Sequence, residues 1–233
     1  FLHGALVQAG LVAFAAAAGP IPELGTGRYR SLLPATNEWT LAGTYALPLT
    51  ETIGASLNLR YDSYDATSLN GLQSATVTVP TGNPASPFTQ AVLLTRAFGG
   101  DTALTNDTHR ETLHVGASSD GRLGRWRWNL TGNFDRVATD VTSDRGYDVA
   151  ALQAAISAGA NPFTGDASAL ISALTRDSTH AISQSGDSAM VLSGPLFALP
   201  AGRVRATVQG GFARQDYSAQ SIRSGSTTLT DLG

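Results

Sequence analysis

Cysteine is absent from this sequence, which excludes thiolate metal sites, catalytic thiols and a disulfide scaffold. Charge is scarce too: Asp, Glu, Lys and Arg make up 14% of the 233 residues, against about 25% in ordinary soluble domains. The surface being built is not the usual charged, water-facing one. There is no basic excess, with 15 Lys+Arg against 18 Asp+Glu and a formal net charge of −3. No nucleic-acid partner is expected, because displacing counterions from phosphates needs a basic stripe. Long apolar runs are missing as well. The longest, Leu11 to Ala18, ends at Gly19-Pro20, far short of the ~20 residues that cross a bilayer as a helix. Yet 42% of the chain is hydrophobic, so the apolar residues must be interspersed among polar ones.

The first residue is Phe1, and no basic residue precedes the apolar stretch Leu6 to Ala18. A secretory signal needs a positively charged start. Although Ala15 to Ala18 has the small residues of a cleavage site, the stretch reads as a buried strand or loop. Thr228 to Gly233 stops without a closing strand, so both ends read as interior cuts in a longer chain.

What is present is alternation. From Arg125 the chain places Trp126, Trp128, Leu130, Gly132 and Phe134 on one face of a strand, and Arg125, Arg127, Asn129, Thr131, Asn133 and Asp135 on the other. The same division sets Ile53, Ala55, Leu57, Leu59 and Tyr61 against Thr52, Gly54, Ser56, Asn58, Arg60 and Asp62. It returns with Val204, Ala206, Val208, Gly210 and Phe212 against Arg203, Arg205, Thr207 and Gln209. Each strand has an upstream partner. Trp39, Leu41, Tyr45 and Leu47 precede a turn at Pro48 to Glu51; Leu113, Val115 and Ala117 precede Ser119 to Gly124; Met190, Leu192 and Leu196 precede Leu199 to Gly202. These are three hairpins with Pro, Gly and Asp in the turns.

The connections between hairpins are long, spanning 63–107 and 140–184. Short links therefore lie at one end of the strands and long ones at the other. Soluble sandwiches turn about every 8 to 12 residues at both ends. Outer-membrane barrels instead pair short periplasmic turns with long extracellular loops, on strands that alternate apolar toward lipid and polar toward the lumen. Trp126 and Trp128, beside a short turn, suit an interfacial aromatic girdle. In the second loop Asp148 can cap a helix carrying Val149, Leu152 and Ile156 and ending at Gly159, with another short helix from Asp166 through Arg176. Such helices either form a lid that contacts solute or pack their own loop.

The first long loop reads Val79-Pro80-Thr81-Gly82-Asn83-Pro84-Ala85-Ser86-Pro87-Phe88, followed by Ala91-Val92-Leu93-Leu94-Thr95-Arg96. This resembles the Pro-x-x-Asn-Pro-x-x-Pro-Phe-Gly stretch and short valine-containing strand of TonB-dependent receptors, the large outer-membrane barrels of Gram-negative bacteria. Tyr29-Arg30-Ser31-Leu32-Leu33-Pro34, the Trp126-x-Trp128 strand and a second Asn161-Pro162-Phe163 are similar to the same family, over roughly Tyr29 to Tyr217. Thr89 stands where the family often has Gly. No plug domain, energy-coupling box or terminal aromatic strand is recognisable. The resemblance implies energised uptake of a scarce solute (a siderophore complex, cobalamin, a carbohydrate or a peptide). It also implies contact with outer-membrane lipid and with an inner-membrane energy-coupling complex through a plug region.

Catalytic and cofactor chemistry is not expected. His109, Glu111 and His114 spell His-x-Glu-x-x-His, but the helical zinc motif needs its histidines four apart, and on a strand His114 points away from the other two. His3 and His180 have no evident partners in sequence. There is no Gly-x-Ser-x-Gly elbow, no phosphate-binding loop and no complete Gly-x-Gly-x-x-Gly; Asp62, Asp65 and Asp101 are scattered. Arg125, Arg127, Arg203 and Arg205 all project to the polar face just after short turns. They are either a basic patch contacting a plug or an anionic solute, or ordinary lumen residues paired with carboxylates such as Asp135.

The fold expected is all-β: an antiparallel transmembrane β-barrel segment of about six strands in three hairpins, with long extracellular loops carrying short helices. Residues 1–233 form one partial outer-membrane domain. Hairpins occupy 38–62, 108–137 and 187–217, while 1–37 are strand or loop. A passive porin-like channel and a soluble secreted β-rich binding or adhesive module remain as other readings. No catalytic, cofactor or metal residues are assigned, and none for substrate binding.

Overall fold

The structure, a computed structural model, describes residues 26–97, 102–163, 175–223 and 226–232. A 3-10 turn, Thr26–Tyr29, leads into β1 (Ala35–Thr50), β2 (Ile53–Leu72), β3 (Ser74–Val79), β4 (Val92–Ala97), β5 (Ala103–Leu123) and β6 (Trp126–Gly146). The helix α1 (Val149–Ser157) precedes β7 (Thr175–Leu199), β8 (Gly202–Arg223) and β9 (Ser226–Leu232). Seven strands form one sheet in the order β1-β2-β5-β6-β7-β8-β9, and β3 pairs with β4 alone. The chain is thus all-β and predominantly antiparallel. The described sheet has β1 and β9 at its edges and does not close.

Three expectations need correction. Among the described residues the strands number nine rather than about six, because the first loop makes a small sheet of its own and β9 adds to β8. The hairpins also run beyond 38–62, 108–137 and 187–217. The apolar alternation stops there, but a ladder needs only backbone N–H and C=O groups, so it continues with polar side chains. The connections shrink accordingly to 73–102 and 147–174. Finally, the second turn is not Ser119 to Gly124. The β5 strand persists to Leu123, and the link is Gly124-Arg125, with Gly124 at φ +59°.

Each of the three hairpins is closed by two residues: Glu51-Thr52, Gly124-Arg125 and Pro200-Ala201. The alternation in β7 is interrupted once. Pro195 pairs with Arg205 and Phe197 with Val204, which leaves Leu196 as the extra residue of a bulge. The bulge shifts the phase by one, so Phe197, not Leu196, joins Met190 and Leu192 on the apolar face.

The chain divides into two units. One comprises Phe1–Ala35, Thr67–Asn106 and Ser143–Asp177 and owns the only closely packed apolar cluster among the described residues. Strand β3 turns Ala75, Val77 and Val79 inward and leaves Ser74, Thr76 and Thr78 outside. Against them pack Leu152 and Ile156 of α1, flanked by Val92, Leu94 and Phe163. The helix is capped as its sequence implies: Asp148 Oδ1 accepts from the N–H groups of Ala150 at 2.8 Å and Ala151 at 3.3 Å, while Gly159 at φ +102° lets the chain leave. The second helix expected over Asp166 to Arg176 falls mostly outside the described residues; Thr175 and Arg176 are strand. Residues 1–25, where the cleavage-like alanines lie, are also outside them.

Asn83 explains why the Asn-Pro segment of one loop matters to the other. Buried, it donates through Nδ2 to the carbonyls of Ile156 at 2.9 Å and Ala160 at 3.1 Å, and accepts from Ala85 N–H through Oδ1 at 2.9 Å. The first belongs to the last turn of α1, where it also accepts from Gly159 N–H at 3.0 Å, and the second to the residues just past the helix. Gln153 does the same for the edge of β3, accepting from Thr78 N–H and donating to Thr78 carbonyl, both at 2.8 Å. The helix therefore packs against the small sheet of the other long connection, not merely within its own.

Candidate functional site

The second unit comprises Thr36–Ala66, Asp107–Thr142 and Ser178–Gly233. Its strands are amphipathic slabs without a covering layer among the described residues. On the face predicted to be apolar, Leu41 is 60% exposed, Leu130 45%, Phe134 40% and Phe212 68%; Trp39, Tyr45, Leu57, Met190 and Val208 are exposed beside them. Contiguous apolar patches beyond a few hundred Å² are rare on water-soluble monomers. A shallow hollow of about 560 Å³ lies in this face, floored by Ala55, Ala117, Gly132 and Ser188 and rimmed by Tyr45, Leu47, Leu49, Leu57 and Leu130.

Both tryptophans of β6 lie over glycines of neighbouring strands. A Cβ at Gly194 would come within 2.3 Å of the Trp126 ring, and one at Gly121 within 2.8 Å of the Trp128 ring. Each glycine is thus required by close approach, and the rings are held flat along the sheet beside the short turns. No helix is long and apolar enough to cross a membrane among the described residues.

The opposite face is polar and cross-linked. Ser56 and Ser118 hydroxyls meet at 2.7 Å, Thr40 donates to Asp62, the Arg60 Nε donates to Asp62 at 2.8 Å, and Asn133 Nδ2 donates to Asp187 at 3.1 Å. His114 Nδ1 sits 2.7 Å from Asp135 Oδ1. This pairing removes Asp135 as a partner for the arginines near the short turns.

Toward the long connections the nominally apolar face turns polar. His109 Nδ1 lies 2.6 Å from Asp65 Oδ1, and its Nε2 is 3.8 Å from Glu111. His180 Nδ1 lies 2.6 Å from Asp140 Oδ1. His109 and Glu111 are together while His114 is on the other face with its own carboxylate, so the His-x-Glu-x-x-His residues do not converge. The Asp65 hydrogen bond, with help from the charges of Asp65, Glu111 and Asp140, raises the His109 pKa above the ordinary imidazole value. In the first unit Asp144 is buried, which by itself would push its pKa up. The backbone and hydroxyl of Thr105 and the Arg176 guanidinium outweigh that and hold it below the usual carboxylate range.

The partner of His180 was invisible in sequence because it depends on which residues of β6 and β7 face each other. The same is true of a fifth arginine, Arg122. It joins Arg125, Arg127, Arg203 and Arg205 around a cavity of about 290 Å³ near the short turns, together with Pro195 and Trp126. The signal that could have found it is its even position on β5, which shares a face with His114.

No protein-family model and no curated protein matches this chain.

Proposed function

We propose that the chain is a stretch of outer-membrane β-barrel wall, of the kind that TonB-dependent receptors use for energised uptake of a scarce solute. The observation that carries this reading is the exposed apolar face of the second unit, backed by a hydrogen-bonded polar face on the same strands. In hydrocarbon, such a face needs no cover, and a sheet satisfies its backbone between strands. The short turns then belong in the periplasm, and the capped, packed connections outside the cell. The smallest single-chain barrels have eight strands, so closure requires strands beyond the seven in this sheet.

The solute is a siderophore complex, cobalamin, a carbohydrate or a peptide; the resemblance of the Asn83-Pro84 and Asn161-Pro162 segments to the family supports energised receptor over passive porin. Partners are outer-membrane lipid, the extracellular solute and, through a plug region, the inner-membrane energy complex. Transport involves no covalent step, so the protein is no enzyme.

The test is a pair of substitutions in the polypeptide that carries this segment, folded into lipid vesicles. Leu130→Arg should destabilise by about 2 to 4 kcal/mol, since a lipid-facing guanidinium loses its hydration, while Asn129→Arg should cost little. Equal damage from both, or full folding in plain buffer without amphiphile, would refute the membrane reading and favour a soluble β-rich module.

A further inference from the structure

The polar face near the short turns holds a charge imbalance that the chain itself does not correct. Arg122, Arg125, Arg127, Arg203 and Arg205 line one cavity of about 290 Å³, and among the described residues none of the five makes an ion pair within 4 Å. Four arginines elsewhere are matched, Arg60 with Asp62, Arg145 with Asp177, Arg176 with Asp144 and Arg214 with Asp216, and the others among the described residues do not line this cavity. One carboxylate, Asp120, lines an adjoining cavity of about 320 Å³ with Arg122 and Arg127.

Strand register makes the imbalance sharper. The alignment that pairs His114 with Asp135 and Trp128 with Gly121 sets Arg122 opposite Arg127, and like charges directly opposite on a sheet destabilise it. On the other side of β7, Arg205 pairs with Pro195 and Thr207 with Ser193. The strand between the two arginine walls therefore presents the short side chains of Ser193 and Pro195 opposite Thr207 and Arg205. Walls two strands apart are separated by about 10 Å, and guanidiniums leaning inward from both sides can close on a group a few ångströms across. The chain has no lysine; all its cations are arginine, whose planar fork grips oxyanions through paired hydrogen bonds.

We propose that this five-arginine trough is a binding site for a compact multivalent oxyanion, a di- or triphosphate-like or tricarboxylate group. It lies on the polar face, so it stands whether or not the apolar face meets lipid. Bound anion would neutralise the facing Arg122 and Arg127 and tie β5, β6 and β8 together across β7.

The probes are inorganic pyrophosphate and citrate, titrated by calorimetry at low salt against the protein in a non-ionic detergent free of phospholipid. At least one should bind saturably and raise the Tm, and binding should weaken steeply with added salt. Arg125→Gln with Arg203→Gln should weaken it by roughly tenfold or more, as expected for lost charge-assisted hydrogen bonds. Arg214→Gln, on the other face of β8, should leave it unchanged. Should the double Gln variant fail to fold, Arg125→Lys with Arg203→Lys keeps the charge, removes the fork and should bind more weakly than the native protein. Absence of saturable binding by both probes overturns the proposal, as does an equal loss with Arg214→Gln or native affinity in the folded double variants.

Discussion

At the scale of single residues, carboxylates outnumber arginines, 18 against 15, yet the fold distributes them unevenly. Each described histidine has its own aspartate: Asp65 for His109, Asp135 for His114 and Asp140 for His180. Between β6 and β7, Asp144 pairs with Arg176 while Arg145 pairs with Asp177; successive residues alternate faces, so the two strands are clamped on both sides. The raised pKa of His109 has a definite sign. Its pairing with Asp65 contributes fully below the unfolded value of about 6.5, and the contribution is lost as pH rises through the higher folded value. An NMR titration of His109 should give a midpoint above that of a free imidazole. Asp65→Asn should bring it down, and an unchanged midpoint would show that the pair is not formed in solution. Asp144 runs the other way, contributing above the ordinary carboxylate pKa and losing that contribution as pH falls through its depressed value.

Among the elements, α1 is short, and isolated helices of that length are marginal in water; its stability comes from what holds its two ends and one face. Asp148 caps the start, Leu152 and Ile156 bury against β3, and Asn83 from the other long connection donates to the carbonyls of Ile156 and Ala160 at and just past the end. Asn83→Ala removes both side-chain bonds to these carbonyls and the acceptor for Ala85 N–H, and should lower the stability of this unit by about 2 kcal/mol. Hydrogen exchange of the α1 and β3 amides should accelerate together. Exchange confined to residues 80–91 would mean that Asn83 shapes only its own turn. The β7 bulge works at the same scale: by absorbing Leu196, it keeps Phe197 and Leu199 in phase with Met190 on the apolar face up to the last turn.

For the whole molecule, what needs explaining is large apolar side chains exposed along strands whose other face is hydrogen-bonded and polar. Under the proposed reading the hairpin turns face the periplasm. Protease added to intact cells should then cut within the connections 73–102 and 147–174 and spare Glu51-Thr52, Gly124-Arg125 and Pro200-Ala201. Cleavage restricted to those three turns would invert the orientation, and the packed α1 unit predicts slow cutting even in the exposed connections.

Period-two alternation fixed the three hairpins and their apolar faces without any coordinates, because side-chain direction on a strand depends only on sequence parity. Local chemistry likewise fixed the α1 cap, since Asp148 acts on residues two and three positions away. Tertiary structure alone decided the rest. Strand ends at Leu72, Ala103, Gly146 and Thr175 follow from backbone pairing that carries no apolar signature. The Leu196 bulge follows from the partner strand, and the docking of Asn83 on α1 joins residues more than 70 positions apart. The gathering of Arg122 with Arg203 and Arg205, and the capture of Asp135 by His114, rest on cross-strand register. Register is a property of two strands at once, so no single strand's sequence contains it.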